Sequence, residues 1–348
     1  MAAEFARPLD RLSRGDEPQF GGKSANLGEL LAAEIPVPPG FALSTAAFHA
    51  FVHDAGLQER IASALSGVTA GDVDAIGRAS HAISEAMRFA PVPEAVRAEI
   101  AEHYAELGPD SPPVAVRSSA VGEDSQDATF AGQQETYLWV RGAEHVCDAV
   151  RDCWVSLFSP PAISYRLRLG DRAHTPAMGV TVQSMVDAEV SGVMFTCNPL
   201  SGDPSMVAIN ASWGLGLAVV GGEVTPDDYL VSKVTREVVR EHVHAKDVQY
   251  VPDPAGHGAV RVAVPDDQRE RRCLDQSALE RLVDVARNVE RHFGSHQDIE
   301  WARTKDGDLF LVQTRPVTAV AKKQSEKPKA ESALSLIMST FGAGPPKD

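Results

Sequence analysis

Hydrophobic residues recur along this chain with two different periods. Helical spacing runs through residues 45–65, 72–107, 143–169 and 276–293, and the third of these stretches is interrupted by Pro160-Pro161. Shorter runs lie between the helical stretches. In these runs apolar residues either alternate with polar ones or dominate, which predicts β-strands. The pattern therefore predicts a protein that mixes helices with strands.

Some of the predicted strands are close enough in sequence to pair with each other. Outside the final hairpin they are residues 114–117, 179–186, 190–197, 206–211, 228–233 and 237–243. We expect 179–186 and 190–197 to form a hairpin, with Asp187-Ala188-Glu189 at its turn. We expect 228–233 and 237–243 to form another β pair.

The clearest hairpin signal lies at residues 297–316. Two alternating runs, 297–302 and 309–316, flank an Asp306-Gly307 dipeptide, which is typical of a two-residue turn. With that turn, residue 305 pairs with 308, 300 with 313 and 298 with 315. One face then carries Asp298, Glu300, Gln313 and Arg315, and the other carries Ile299, Trp301, Val312 and Thr314.

The polar face of this hairpin joins two carboxylates, an amide and a guanidinium. Directly opposed Cβ atoms in an antiparallel pair lie roughly 4.5–5.5 Å apart, so the four side chains form a small patch. Mg²⁺ prefers carboxylate oxygens together with substrate phosphates, and arginine binds phosphate through paired hydrogen bonds. The pattern indicates a metal–phosphate site. An amphipathic hairpin with a solvated face would show the same alternation.

Composition and charge narrow the function classes. The chain has 348 residues, 43% of them hydrophobic, and a formal net charge of −15. An acidic chain disfavours general nucleic-acid binding, because phosphate contacts need a basic surface. The four cysteines form no CxxC pair, so neither a zinc site nor a disulfide framework is indicated. With no signal peptide and no membrane-spanning run, we expect a cytoplasmic protein that binds neither nucleic acid nor membrane.

Glycine and hydroxyl residues mark further candidate sites. Gly21-Gly22 precede Lys23 at the start of a helical pattern, where a lysine can meet a phosphate. Glu17 stands where a P-loop requires glycine, which argues against that motif. The strand that ends in Arg117-Ser118-Ser119 leads into a stretch around Gly132. That stretch suits a loop closing over phosphates, or only a turn.

Two other polar residues admit two interpretations each. Gln183 lies among apolar neighbours of a predicted strand, so its amide needs a partner, either an adenine edge or a core group. His81 follows a serine and precedes an alanine, as in a phosphorylatable loop. The helical pattern continues through Ile83 and Met87, which favours an ordinary histidine on an amphipathic helix.

The composition changes after Pro316. Lysines 322, 323, 327 and 329 mark a charged linker, and Leu334, Ile337, Met338 and Phe341 follow at helical spacing. A short amphipathic helix on a tether predicts a docking segment for a partner. The alternative is that it packs on its own domain or frays.

Taken in order, these segments resemble the N-terminal nucleotide-binding domain of the phosphoenolpyruvate synthase and pyruvate phosphate dikinase family. The resemblance covers about residues 15–318. It rests on Gly21-Gly22-Lys23, Ala115-Val116-Arg117-Ser118-Ser119, Phe130-Ala131-Gly132-Gln133, Ser191-Gly192-Val193-Met194-Phe195-Thr196, Pro226-Asp227, Gln297-Asp298-Ile299-Glu300-Trp301-Ala302 and Gln313-Thr314-Arg315-Pro316.

The resemblance implies an α+β, two-lobed ATP-grasp fold whose antiparallel sheets clamp ATP. The lobes would span residues 1–182 and 183–318, followed by the linker and docking helix at 319–348. Lys23, Arg117 and Arg315 would contact the phosphates during transfer. The ATP-binding set would be Lys23, Arg117, Gly132, Thr136, Gln183, Glu300, Gln313 and Arg315. Glu300 and Gln313, with Asp298 close by, would bind Mg²⁺.

The sequence departs from the family pattern in two ways. Leu217 follows Gly214-Leu215-Gly216, where the family usually has glutamate. The chain also ends before the family's swivelling phosphohistidine domain, whose histidine follows a double glycine that His81 lacks. We therefore expect the ATP-binding subunit of a split dikinase, which resembles phenylphosphate synthase. It would (pyro)phosphorylate a histidine on a partner subunit, giving AMP and phosphate, and the β-phosphate would pass to a phenol-type acceptor or pyruvate.

Three alternatives stay open from the sequence. One is a stand-alone small-molecule kinase, which needs an acceptor pocket and a general base that the sequence does not identify. Another is a non-catalytic nucleotide-binding regulatory subunit, which the loss of glutamate at Leu217 favours. The third is a fragment of a longer enzyme.

Overall fold

The structure is a computed structural model that describes residues 4–121, 135–170, 176–256 and 258–317. The chain divides into two compact units. The first consists of Met1–Gly28 and Pro39–Met185, and the second of Glu29–Pro38 and Val186–Asp348. Each unit contains helices and an antiparallel sheet. The expected class, an α+β fold with antiparallel sheets in two lobes as in the ATP-grasp fold, agrees with this architecture.

The first unit is built on a five-stranded sheet. Its strands are β1 (Ala6–Pro8), β2 (Gly40–Leu43), β3 (Val114–Ala120), β4 (Thr136–Val140) and β5 (Met178–Ser184). They lie in the order β1-β2-β5-β3-β4, and all neighbours are antiparallel. At the centre, β3 pairs with β5 so that Arg117 lies opposite Thr181 and Ala115 opposite Gln183.

The helices of this part of the chain follow the predicted stretches, with breaks at glycine and proline. They are α1 (Glu17–Phe20), α2 (Gly22–Ala32), α3 (Thr45–Asp54), α4 (Leu57–Leu65), α5 (Val73–Phe89), α6 (Glu94–Glu106), α7 (Ala143–Ser156) and α8 (Pro160–Leu169). Gly56, with φ of 59°, separates α3 from α4. Pro160 and Pro161 occupy the first positions of α8, where proline is tolerated.

One face of the five-stranded sheet packs against helices. Val116 of β3 and Val182 of β5 join the core with Phe51 of α3 and Trp154 of α7. Side chains alternate along a strand, so the residues between these valines point to the opposite face. That second face carries the polar residues Arg117, Thr181 and Gln183, and their position follows directly from the alternation.

The second unit is built on a six-stranded antiparallel sheet and a two-stranded ribbon. The sheet holds β6 (Ala188–Phe195), β7 (Met206–Trp213), β8 (Asp227–Ser232), β9 (Val238–His242), β12 (Gln297–Thr304) and β13 (Leu309–Pro316), in the order β13-β12-β6-β7-β8-β9. The ribbon pairs β10 (Val248–Pro252) with β11 (Ala259–Ala263), and the helices are α9 (Leu217–Val220) and α10 (Gln276–Phe293).

Helix α10 lies against β12 and has clear sequence determinants. Asp275 caps its first turn by accepting a hydrogen bond from the Ala278 amide at 2.7 Å. Its buried face includes Leu279, Leu282 and Val283, which recur at helical spacing. Gly294 ends the helix in the left-handed conformation, with φ of 68°, a common cap.

One predicted hairpin is wrong and another is confirmed. The strands at 179–186 and 190–197 exist, as β5 and β6, but they do not pair. Strand β5 pairs with β2 and β3 in the first unit, whereas β6 pairs with β7 and β12 in the second. The short connection between them passes from one unit to the other. The expected pair at 228–233 and 237–243 forms as β8 and β9.

Two expectations fall outside the described residues. The Lys-rich linker and docking helix at 319–348 lie there, and so does Gly132. Among the helices that the structure describes, none combines the length and the apolar character needed to cross a membrane.

Candidate functional site

The β12–β13 hairpin has the predicted register at its polar residues. Asp298 pairs with Arg315 and Glu300 pairs with Gln313, so both predicted pairs are confirmed. The two-residue turn is wrong, because the Thr304 amide donates to the Asp308 carbonyl at 2.9 Å and the turn spans three residues. Trp301 consequently pairs with Leu311 rather than Val312. A β-bulge at Val312 absorbs the extra residue and restores the predicted pairing beyond it.

Asp298 is the most buried carboxylate of this patch. Its side chain is 5% exposed, and its Oδ2 accepts a hydrogen bond from Arg315 Nε at 2.9 Å and forms an ion pair with Arg315 Nη2 at 2.9 Å. Its Oδ1 is buried without a hydrogen-bond partner among the described residues. Burial raises the pKa of Asp298 from 3.8 to about 6, although the Arg315 guanidinium opposes the shift. The carboxyl therefore has one oxygen available to a further ligand.

The neighbouring side chains complete an oxygen-rich set. Glu300 is half-buried and Gln313 is 7% exposed, and both share the face of Asp298 because they lie two residues away along their strands. No group of three or more histidine, cysteine, aspartate or glutamate residues in the described ranges is arranged to hold a metal alone. The two carboxylates and the amide fit Mg²⁺ when phosphate oxygens supply the remaining ligands. The buried Oδ1 of Asp298 favours this fit.

In the first unit, the start of α2 presses against the end of β3. A Cβ on Gly21 would lie 2.1 Å from the Ser119 carbonyl oxygen, so only glycine allows this approach. The Ser24 amide donates to Ser119 Oγ at 3.2 Å, and Ser24 Oγ lies 2.7 Å from Thr181 Oγ1. The double glycine thus allows the backbone before Lys23 to lie against the Arg117-Ser118-Ser119 strand.

Lys23 and Arg117 belong to this same cluster. Lys23 is 5% exposed, and its Nζ donates to the Ser118 carbonyl at 3.0 Å. Arg117 lies opposite Thr136 on β4 and Thr181 on β5. Thr136 is exposed. Two cations and several hydroxyls therefore gather at one end of the sheet, which suits phosphate binding.

Gln183 lies further along the same sheet face. It is 2% exposed, and its neighbours across the sheet are Gly40 and Ala115. The structure therefore brings Arg117, Thr136 and Gln183 onto one sheet of the first unit, and it places Lys23 beside that sheet at the start of α2. The other four predicted residues, Asp298, Glu300, Gln313 and Arg315, share one hairpin of the second unit.

Sequence reasoning missed a buried ion pair in the second unit. Lys246 Nζ donates to Asp227 Oδ1 at 2.5 Å, and both side chains are fully buried. Asp227 also accepts from the His244 amide, the Cys273 amide and the Tyr229 hydroxyl, at 3.1, 2.8 and 3.2 Å. The Pro226-Asp227 motif marked the aspartate, but no spacing linked it to a lysine in a loop.

The Gly-Leu-Gly turn that precedes Leu217 is held by two contacts. Ser191 Oγ donates to the Gly214 carbonyl at 2.6 Å, and Leu215 forms a β-bridge with Tyr250 of the ribbon. Gly214 has φ of 74°, and a Cβ there would lie 2.4 Å from the Tyr250 carbonyl oxygen. Leu217 opens the short helix α9. His81 lies exposed on α5, as expected for a histidine on an amphipathic helix.

Comparison with known families decides the assignment. Residues 17–335 match the family described as the pyruvate phosphate dikinase AMP/ATP-binding domain. The chain belongs to this family. The dikinase ATP-binding domain thus includes both clusters, the first-unit cations and the second-unit carboxylates.

The curated relatives of this dikinase domain are considerably longer than the chain. A probable phosphoenolpyruvate synthase from Methanocaldococcus jannaschii is 41% identical over 348 residues, covering 98% of this chain and 29% of the relative. The phosphoenolpyruvate synthase of Pyrococcus furiosus is 36% identical, covering 99% and 48%. The chain spans less than half the length of these two relatives.

Solved structures show only weak similarity. D-alanyl-alanine synthetase A from Vibrio cholerae has a TM-score of 0.33 at 12% identity, covering 84% of this chain and 56% of that chain. Biotin carboxylase from Campylobacter jejuni has a TM-score of 0.28 at 11% identity, covering 92% and 45%. These values are too low to carry a functional argument.

Proposed function

We propose that this dikinase domain binds Mg–ATP and transfers its β- and γ-phosphates, as a pyrophosphoryl group, to a histidine that lies outside the domain. The observation that carries the proposal is the β12–β13 cluster, in which the buried Asp298 keeps one carboxylate oxygen without a described partner. A buried, unpaired acceptor is costly. A bound cation would remove that cost.

The second-unit residues have complementary roles in this proposal. Asp298, Glu300 and Gln313 would hold Mg²⁺, which supplies charge neutralisation at the phosphate oxygens when bound. Arg315 orients Asp298 through its Nε hydrogen bond and its Nη2 ion pair, and its guanidinium would also contact a phosphate oxygen. Arginine suits both contacts because its guanidinium donates in several fixed directions.

The first-unit residues would bind the rest of the nucleotide. Lys23 and Arg117 would hold phosphates and offset the charge that develops during transfer. Thr136 and Gly132 would contribute hydroxyl and backbone donors to the phosphates. Gln183, buried on the same sheet face as Arg117, would hydrogen bond to the adenine edge.

The two clusters contain no thiol or imidazole, so they suit positioning rather than nucleophilic attack. A histidine nitrogen would attack the β-phosphorus, and the bond to the oxygen between the α- and β-phosphates would break, releasing AMP. Water would then remove the γ-phosphate as inorganic phosphate. The β-phosphate would stay on the histidine until an acceptor oxygen takes it, either the hydroxyl oxygen of a phenol-type compound or the enolate oxygen formed when pyruvate loses a methyl proton.

We further propose that the histidine belongs to a separate subunit, as in phenylphosphate synthase. Support comes from the relatives, more than half of whose length lies outside the match. In this proposal, the functions of that remaining length come from a second polypeptide. A partner polypeptide that docks on the segment at 319–348 would supply them in trans.

The test uses purified chain, Mg²⁺ and ATP labelled at the β- or γ-phosphate, with extract of the source cells. We expect the β-label on an acid-labile phosphohistidine of a second polypeptide, together with AMP and free γ-phosphate. Transfer of γ-label directly to a small molecule would instead establish a kinase. Tight ATP binding with no transfer to any molecule would contradict the proposal and favour a regulatory role.

A further inference from the structure

Arg7 forms ion pairs with two carboxylates, those of Glu4 and Asp16, at the start of the first unit. Its Nη1 donates to Asp16 Oδ1 at 2.6 Å, and its Nε and Nη2 donate to the Glu4 carboxylate at 3.1 and 2.5 Å. The other Asp16 oxygen accepts from the amide and hydroxyl of Ser13, both at 2.9 Å. Asp16 is therefore fixed from two sides.

The same guanidinium also contacts the segment that leads to Lys23. It lies over the ring of Phe20, 4.7 Å from the centroid, within the range of a cation–π interaction. Phe20 is fully buried. Arg7 thus contacts both ends of the segment from Asp16 to Phe20. This segment immediately precedes the double glycine.

The end of that segment, at Phe20 and Gly21, packs tightly against the sheet. A Cβ on Gly179 would lie 2.3 Å from the Phe20 carbonyl oxygen, and one on Gly21 would lie 2.1 Å from the Ser119 carbonyl oxygen. The backbone of Phe20 and Gly21 is therefore in direct contact with strands β5 and β3. Because α2 begins at Gly22, directly after this segment, the contacts that hold the segment also fix the position of the first turn of α2 and of Lys23.

We infer that Arg7 is a positioning residue for Lys23, holding the start of α2 where the lysine ammonium meets a nucleotide phosphate. This inference rests on the proposed function, in which Lys23 contacts phosphate. Arg7 itself touches Asp16, Glu4 and Phe20 rather than Lys23, so it acts through the backbone. Loss of Arg7 should therefore weaken binding of the phosphates and leave the contacts to the base and ribose unchanged.

The test compares affinities for ATP and adenosine, measured calorimetrically with Mg²⁺ on the whole chain. Arg7→Gln and Asp16→Asn should each raise the Kd for ATP about three- to tenfold, the loss expected for a partly buried ion pair. The Kd for adenosine should stay within twofold of wild type. Because Arg7 and Asp16 act together, the double variant should lose no more than either single variant. If Arg7→Gln fails to fold, Asp16→Asn carries the same comparison.

Arg97→Gln is the matched control, because Arg97 forms a 2.8 Å ion pair with Glu144 elsewhere in the unit. It should leave both affinities unchanged. Equal weakening of ATP and adenosine by Arg7→Gln, or no change in either, would overturn the inference. The Lys23→Ala variant distinguishes failure of the proposed role of Lys23 from failure of the positioning role of Arg7. If it leaves ATP affinity unchanged, the proposed role of Lys23 fails; if it weakens ATP while Arg7→Gln and Asp16→Asn do not, only the positioning inference fails.

Discussion

Two buried aspartates of the same sheet in the second unit differ in how fully their carboxylate oxygens are hydrogen bonded. Asp227 on β8 and Asp298 on β12 lie on opposite faces of the six-stranded sheet, as their strand pairings require. Both bind a cationic side chain. Asp227 accepts hydrogen bonds on both oxygens from four different residues. Among the described residues, Asp298 accepts a hydrogen bond from Arg315 alone, through one oxygen.

The difference separates a structural ion pair from the proposed ligand site. A buried charge is tolerated when its hydrogen-bonding capacity is satisfied. Asp227 meets that condition within the protein itself, and its network joins the start of β8 to loops around Lys246 and Cys273. Asp298 does not meet it among the described residues. Burial raises the pKa of Asp298. In the proposed site, a bound cation would stabilise the charged carboxylate and contact its second oxygen.

The largest expected effect concerns activity at the ligand site. Glu300→Ala and Asp298→Asn should each lower turnover by about 10²-fold or more, because charge stabilisation at the phosphates is the main source of catalysis here. Arg117→Ala should do the same from the first unit. Release of AMP from Mg–ATP in the presence of the extract of the source cells measures this, and circular dichroism checks that the fold is intact.

Glu189→Gln supplies the control for these variants, since Glu189 is a more exposed carboxylate of the same sheet that pairs with Arg303 at 3.3 Å. Its turnover should match wild type. Near-normal turnover of Glu300→Ala or Asp298→Asn would remove the distinction between the two aspartates.

The next effect concerns stability at the structural pair. Lys246→Met should lower the free energy of unfolding by about 3–5 kcal/mol, because it leaves a buried, uncompensated carboxylate. Arg315→Met should cost less, because the raised pKa lets Asp298 accept a proton instead. Urea denaturation at pH 7 without nucleotide measures both.

Adding Asp227→Asn to Lys246→Met should recover part of the loss, since it removes the stranded charge. If Lys246→Met and Arg315→Met cost the same, the contrast between a satisfied and an unsatisfied aspartate is wrong.

A third prediction follows from the pKa of Asp298 itself. Its value rises from 3.8 to about 6 on folding, so the folded state holds this proton more tightly than the unfolded state. The resulting stability is fully present below pH 3.8 and is lost as pH rises towards 6. Without metal or nucleotide, the stability of wild type relative to Asp298→Asn should fall across this window and level off above it. Parallel pH curves for the two proteins would show that the carboxyl titrates normally.

The smallest effect is expected at an exposed pair of the same unit. Arg261 and Glu223 are joined at 3.1 Å, with side chains 56% and 40% exposed. Arg261→Gln should change the free energy of unfolding by less than about 1 kcal/mol, because solvent and salt screen such pairs. The same urea titration serves, and a loss near that of Lys246→Met would mean that burial is not what distinguishes these ion pairs.

The sequence predicts the carboxylate cluster better than it predicts the strands around it. Alternation and the Asp306-Gly307 signal place Asp298 opposite Arg315, and this pairing is correct because the bulge at Val312 compensates for a turn that is one residue longer than predicted. The partners of β5 and β6 depend on which unit each strand joins, which no local pattern contains. The Lys246 contact to Asp227 likewise depends on how loops fold together, so it is visible only in the structure.

In the first unit, local pattern identifies residues but not their support. The double glycine and Lys23 are recognisable in the sequence, and so is the strand that ends in Arg117. The contacts of Arg7 with Asp16 and Phe20 are not recognisable in the sequence, because an arginine in a short N-terminal strand has no distinctive spacing. Residues that support a site are harder to predict than residues that form it, because they act through contacts rather than chemistry.

The bulge at Val312 has a consequence for the face on which Gln313 and Arg315 lie. The three-residue turn shifts the pairing by one position, and the bulge shifts it back before Gln313 and Arg315 are reached. Either irregularity alone would invert those two side chains to the other face, whereas losing both together would keep them in place. At this chain length the three-residue turn and the bulge therefore compensate for each other, and Gln313 and Arg315 keep their face only when both are present or both are absent.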